Sequence, residues 1–134
     1  MSGSPKLLLC VEDDEDDCLW IQEAAREAVP QLLITHKTNG QQALEYLKEL
    51  NDQHIFPCLI LLDINMPIMD GKQALTEIRR DPALMHVPIV VFTTSSNALD
   101  RLFCERYGVE MVTKPAQMTQ FKKTIQQLVL AHCA

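Results

Sequence analysis

The sequence is short of positive charge: Lys and Arg total 12 against 18 Asp and Glu, giving a net charge of −6 and an isoelectric point near 5.1. Its basic residues are scattered rather than clustered. The chain therefore lacks the footprint that neutralises a phosphate backbone, and no nucleic-acid partner is expected. It lacks a basic segment followed by an apolar stretch at its start, and no apolar run approaches the ~18 residues of a membrane span. A cytoplasmic chain, neither exported nor membrane-embedded, is the expectation. The cysteines Cys10, Cys18, Cys58, Cys104 and Cys133 include no C-x-x-C pair, which removes structural zinc. Their number is odd, and Cys10 and Cys58 lie in apolar strand-like runs, so reduced thiols in a cytosol are expected.

What is present suits one domain with a real core: 134 residues, 47% of them hydrophobic. After a small polar start at Met1 to Pro5, read as disordered, the domain is expected over residues 6–134. Five apolar runs read as strands: Lys6 to Val11, Leu32 to Thr38, Cys58 to Leu62, Val87 to Phe92 and Val109 to Thr113. Between and after them, apolar residues at helical spacing mark Cys18 to Val29, a segment opened by Asn39-Gly40, one near Lys72 ending at Asp81-Pro82, Ala98 to Tyr107 closed by Gly108, and Gln117 to Ala131. Asn65, Met66 and Pro67 favour extended or turning backbone after the third strand, and Asp70-Gly71 turns the chain into its helix. Strand and helix alternate five times with short connections, which predicts an α/β, doubly wound, five-stranded parallel sheet of flavodoxin-like order. The second run turns polar, as an edge strand does.

The chemistry is concentrated where these strands end. Glu12 and Asp13 follow the first strand, Asp63 the third, Thr93 the fourth and Lys114 the fifth. Open parallel sheets keep their ligand crevice outside those carboxyl ends. Glu12 and Asp13 begin a run of consecutive acids reaching Asp17. Its later members suit a helix start, with Asp14 capping and Glu15, Asp16 and Asp17 complementing the dipole. Glu12 and Asp13 are not needed for that. Carboxylates crowded at about 4 Å repel by about 4 kcal/mol per pair at an effective dielectric of 20, so a cation is expected among them. Oxygen donors with open positions suit magnesium, with manganese as an alternative. A calcium-binding EF-hand loop is excluded, because the acidic run lacks the glycine at its sixth position and the glutamate at its twelfth. A metal, an ammonium and a hydroxyl around a carboxylate fit phosphoryl transfer to Asp63 as the nucleophile.

Val-Glu-Asp-Asp at 11 to 14, Leu-Leu-Asp-Ile-Asn-Met-Pro-Ile-Met-Asp-Gly at 61 to 71, Phe-Thr-Thr at 92 to 94 and Lys114-Pro115 together resemble the receiver domain of two-component response regulators. The resemblance covers nearly the whole chain. It implies that Glu12 and Asp13 are the acidic pair, Asp63 the phosphoacceptor, Thr93 the switch hydroxyl and Lys114 the phosphate-contacting lysine, with the Asn65 carbonyl joining the metal. A sensor histidine kinase or phosphotransfer protein would be the donor. Output would pass through a downstream protein or a homodimer. The acidic run and the lack of an output domain resemble the stand-alone regulators paired with phytochrome-type kinases. Met111 stands where many receivers carry a swinging aromatic residue. Two other functions share parts of the pattern. A flavodoxin-like binding module needs a phosphate-cradling Ser, Thr or Gly loop after the first strand, and acids occupy it here. A magnesium-dependent aspartyl-phosphate hydrolase of the haloacid dehalogenase type carries a second acid two residues after its nucleophile, where this chain has Asn65.

Overall fold

The computed structural model describes residues 6–66 and 70–134. The start at Met1 to Pro5 and the turn expected at Pro67 lie outside the described residues. In chain order the elements are β1 (Leu7–Val11), α1 (Glu15–Ala28), β2 (Leu33–Lys37), α2 (Gly40–Asp52), β3 (Leu59–Leu62), α3 (Gly71–Arg80), β4 (Ile89–Thr93), α4 (Ala98–Arg106), β5 (Glu110–Thr113) and α5 (Met118–Cys133). All strand pairs are parallel, in the order β2-β1-β3-β4-β5. The expected doubly wound sheet is the observed one.

Helix starts follow local chemistry. The side chains of Asp14, Asn39, Asp70 and Asn97 accept the N–H of Asp17, Gln42, Gln73 and Leu99 at 3.0, 2.9, 2.9 and 2.7 Å, satisfying donors that the first turn leaves free. The Asp14 cap draws the start of α1 to Glu15, ahead of the expected Cys18. Gly108, at φ +64°, follows the end of α4 in the left-handed conformation that glycine adopts without penalty. The fourth strand starts at Ile89 rather than Val87. The Val87 N–H is held in a turn by the Leu84 carbonyl at 3.1 Å, and Pro88 has no N–H to give a ladder.

Alternation along the central strands builds two cores. Leu9, Val11, Ile60, Leu62, Ile89 and Val91 pack against α2, α3 and α4. Leu8, Cys10, Leu59, Leu61, Val90 and Phe92 pack against α1 and α5. Every residue of β1, β3 and β4 is buried, which explains their unbroken apolar runs, whereas β2 and β5 lie at the edges and are partly open. Phe121 of α5 sits edge-on between Phe92 and Trp20, with ring centroids 5.0 and 5.2 Å away, and so ties β4, α5 and α1 together. Among the described residues no helix is long and apolar enough to cross a membrane.

One expectation is overturned. Cys58 and Cys133 form a disulfide, with Cα atoms 5.4 Å apart, and only Cys10, Cys18 and Cys104 are free thiols. Packing of α5 across the sheet brings its last turn to the residue that precedes β3. The thiol inventory thus gives no ground for assigning a compartment. A link across 75 residues is worth about 4 kcal/mol through the lost entropy of the unfolded chain. The expected outcome is that a reductant, or Cys133→Ser, lowers the denaturation midpoint accordingly. An identical midpoint with and without reductant would show that the two sulfurs are unpaired in solution.

Candidate functional site

The site forms where β1 and β3, neighbours in the sheet, reach their carboxyl ends. The Asp63 N–H donates to the Val11 carbonyl at 3.1 Å and the Glu12 N–H to the Lys37 carbonyl at 2.9 Å, so both residues continue the ladders and turn their side chains over the sheet edge. Carboxylate oxygens of Glu12, Asp13 and Asp63 lie within 4.8 Å of one another, with Glu12 and Asp63 buried and Asp13 exposed. On the next strands, the Lys114 N–H donates to the Thr93 carbonyl at 2.8 Å, placing the lysine beside the fully buried Thr93. The expected strand-end residues are therefore brought together.

Lys114 is the centre of charge balance. Its ammonium donates to Glu12 at 2.5 Å, Asp17 at 2.8 Å and Asp63 at 3.0 Å, and its side chain is only 5% exposed. Burial pulls its pKa down, but hydrogen bonds to Asp17 and Glu12 and the charge of Asp63 outweigh burial and hold it above the ordinary lysine value. Glu12 is the strained member. Burial and the nearby Asp63 charge push its carboxyl up to about 7, against the opposing pull of Lys114 and the Asp14 N–H. The fold has closed over one more carboxylate than a single ammonium can balance.

The surrounding contacts fix these groups. Asp63 Oδ1 accepts the Asn65 N–H at 2.9 Å, leaving Oδ2 toward Lys114. The Asn65 side-chain amide donates to Thr93 Oγ1 at 3.4 Å, and the Ser95 N–H donates to the same oxygen at 3.3 Å. The Ser95 hydroxyl in turn donates to buried Asp100 at 2.5 Å, and Asp100 pairs with Lys72 at 2.5 Å. The Lys72 and Ser95 bonds lower the Asp100 pKa. Gly71 is required by contact: a Cβ there would stand 2.3 Å from the Asp63 carbonyl oxygen and 2.5 Å from the Ile64 Cα. Any larger residue would push α3 off the peptide that carries Asp63.

Two participants were not expected from the sequence. Asp17, read as a helix-dipole charge, is turned onto Lys114; the available signal was its position one helical turn beyond Asp13. Asp100 had no sequence signal, because its burial depends on the pairing with Lys72 of another helix.

A parallel sheet that gathers carboxylates, one hydroxyl and one lysine at its carboxyl edge fits the class of aspartate-type phosphoacceptor domains. The response regulator receiver domain model matches residues 8–126, and the chain belongs to that family. Response regulator Rcp1 of Synechocystis sp. (strain ATCC 27184 / PCC 6803 / Kazusa) is 32% identical over 128 residues, covering 93% of this chain and 87% of Rcp1. The crystal structure of the phosphorylated cyanobacterial phytochrome response regulator RcpA matches with a TM-score of 0.89 at 31% identity, covering 96% of this chain and 94% of that one. The Mn(2+)-bound form of Rcp1 matches with a TM-score of 0.84 at 31% identity, covering 93% and 92%. Family membership makes the chain a two-component signalling protein and implies a histidine kinase or phosphotransfer partner.

The raised Glu12 pKa carries a sign. Between 4.5 and about 7 the folded chain keeps a proton that the unfolded chain has released, so metal-free stability falls as pH rises through that window. The melting temperature of the metal-free protein is expected to drop from about pH 5 to about pH 8. In Glu12→Gln that drop should be smaller. Equal slopes in the two proteins would refute the assignment.

Proposed function

We propose that Asp63 accepts the phosphoryl group and that the occupancy of this acyl phosphate is the signal. The observation that carries the reading is the placement of Asp63 Oδ2 3.0 Å from the Lys114 ammonium, with Glu12 and Asp13 completing a carboxylate group within 4.8 Å. An Asp63 oxygen attacks the phosphorus of a phosphohistidine donor in line. The new O–P bond forms as the P–N bond breaks, and the imidazole leaves with the electron pair.

The donor set fits a divalent cation, since it is made of hard oxygens, carries excess negative charge and opens to water at Asp13. Glu12, Asp13 and Asp63 would hold magnesium or manganese, with the Asn65 backbone carbonyl as a further donor. Bound there, the cation supplies positive charge for the crowded carboxylates and the incoming phosphoryl oxygens. Lys114 donates to a phosphoryl oxygen, and Thr93 turns its hydroxyl to another. No residue other than Asp63 needs to be covalently changed. Uptake is thus self-catalysed by the chain, and loss of the group proceeds by slow attack of water on the same phosphorus.

Phosphorylation replaces one negative charge on Asp63 by roughly two and adds acceptor oxygens. A Thr93 hydroxyl recruited to those oxygens withdraws from Asn65 and Ser95, and Ser95 is bonded to Asp100 in α4. The change therefore reaches the face built from α4, β5 and α5. That face exposes Leu99, Leu102 and Met118, and is the proposed surface for a downstream protein or a second copy. Half-buried Met111 repacks there without the discrete flip of a ring.

Incubation with acetyl phosphate and magnesium should give a single phosphoryl adduct by intact mass, absent in Asp63→Asn and in the presence of chelator. An adduct that survives Asp63→Asn would remove Asp63 as acceptor. Thr93→Ala should take up the group yet lose most of the change in partner binding or self-association, followed by size exclusion. A wild-type response from phosphorylated Thr93→Ala would disprove the route through the hydroxyl.

A further inference from the structure

We propose that Asp17 is a positioning residue for Lys114: it anchors the ammonium from outside the metal-binding carboxylates, so that the lysine yields Glu12 and Asp63 more readily to an entering cation. The inference rests on the phosphoacceptor reading above. An ammonium has three N–H donors, and Lys114 directs them to three carboxylates, at 2.5, 2.8 and 3.0 Å. Two of those acceptors, Glu12 and Asp63, belong to the group whose oxygens lie within 4.8 Å of one another, and Asp17 does not. When a cation draws on Glu12 and Asp63, the lysine has to loosen both contacts. Asp17 is the partner that remains.

The fold has built Asp17 for this role. Its N–H is fixed by the Asp14 cap at 3.0 Å, which sets the phase of the first turn of α1 and directs this carboxylate inward. Its side chain is 20% exposed, at the wall of a cleft of about 380 Å³ that also holds Trp20, Thr94 and Lys114. Neighbouring Asp16 and Glu15 are exposed, so the dipole of α1 is complemented without Asp17. Without the Asp17 charge, the third donor of Lys114 turns to water and the ammonium settles more firmly on Glu12 and Asp63. It then blocks the cation that those two carboxylates would hold.

The experiment is calorimetric titration with magnesium alone, without phosphodonor, on wild type, Asp17→Asn, Asp16→Asn and Asp17→Glu, and on Asp17→Asn in a Lys114→Ala background. Asp16→Asn removes the same charge from the same turn without touching the lysine. The expected result is about ten-fold weaker magnesium binding in Asp17→Asn, less than about two-fold weakening in Asp16→Asn, and partial recovery in Asp17→Glu. In the Lys114→Ala background Asp17→Asn should do no more than Asp16→Asn, since the lysine it restrains is gone. Equal effects of Asp17→Asn and Asp16→Asn, or an Asp17→Asn effect that persists in full without Lys114, would overturn the proposal while leaving the phosphoacceptor reading intact. A wild-type chain that takes up neither magnesium nor a phosphoryl group overturns that reading, and this proposal with it. Thermal melting of each variant separates a lost fold from a lost contact.

Discussion

The structure turns on an imbalance of charge held at the carboxyl edge of the sheet. Glu12, Asp17 and Asp63 surround one ammonium, Asp13 lies beside Glu12 and Asp63, and two of the four carboxylates are buried. Like charges at this spacing cost several kcal/mol, and the central strands alone cannot compensate them. The apolar packing of β1 and β3 against both helical layers holds the carboxylates together nonetheless. Stability is given up at the sheet edge, where crowded hard oxygens leave an excess of negative charge that suits a divalent cation.

From that imbalance the rest of the site follows in order. Lys114 follows β5, the strand beyond β4, and its long side chain reaches back past β4 to Asp63 at the end of β3. Thr93 has to end β4, since its carbonyl accepts the Lys114 N–H while its hydroxyl faces the crevice. Gly71 has to open α3, because the helix starts against the Asp63–Ile64 peptide with no room for a Cβ. The same geometry links the crevice to α4, as the hydroxyl of Thr93 is one hydrogen bond from Ser95 and two from Asp100.

Much of this was legible in the chain because strands buried on both faces leave an unbroken apolar run, and such runs end where chemistry begins. Leu59 to Leu62 is the plainest case: four buried residues, then Asp63. The helical starts at Asn39 and Asp70 were legible from their caps, whereas the acidic first turn of α1 carries no apolar periodicity, which shifts its expected start to Cys18. What could not be read depends on distances that no local pattern encodes. Cys58 and Cys133 meet because α5 crosses the sheet, not because of any spacing in sequence. Asp17 looks like its neighbours until the tilt of α1 is known. Leu99 and Leu102 stand outward on α4 while Asp100 is buried, the reverse of what side-chain polarity suggests, because Lys72 arrives from α3 to neutralise it.

The rung joining Thr93 and Lys114 has a further consequence. β5 is a four-residue edge strand, partly open along its length, held on one side only. Side chains on a strand alternate between faces, so a slip of one residue along β4 would carry the lysine to the opposite face of the sheet. Met111 and Val112, each half-buried against a different core, would exchange faces with it. The ammonium would leave the carboxylates altogether. A border strand paired on one side thus has its alignment held at its far end by electrostatic pull as well as by packing, and the register of β5 is read out in where a single ammonium comes to rest.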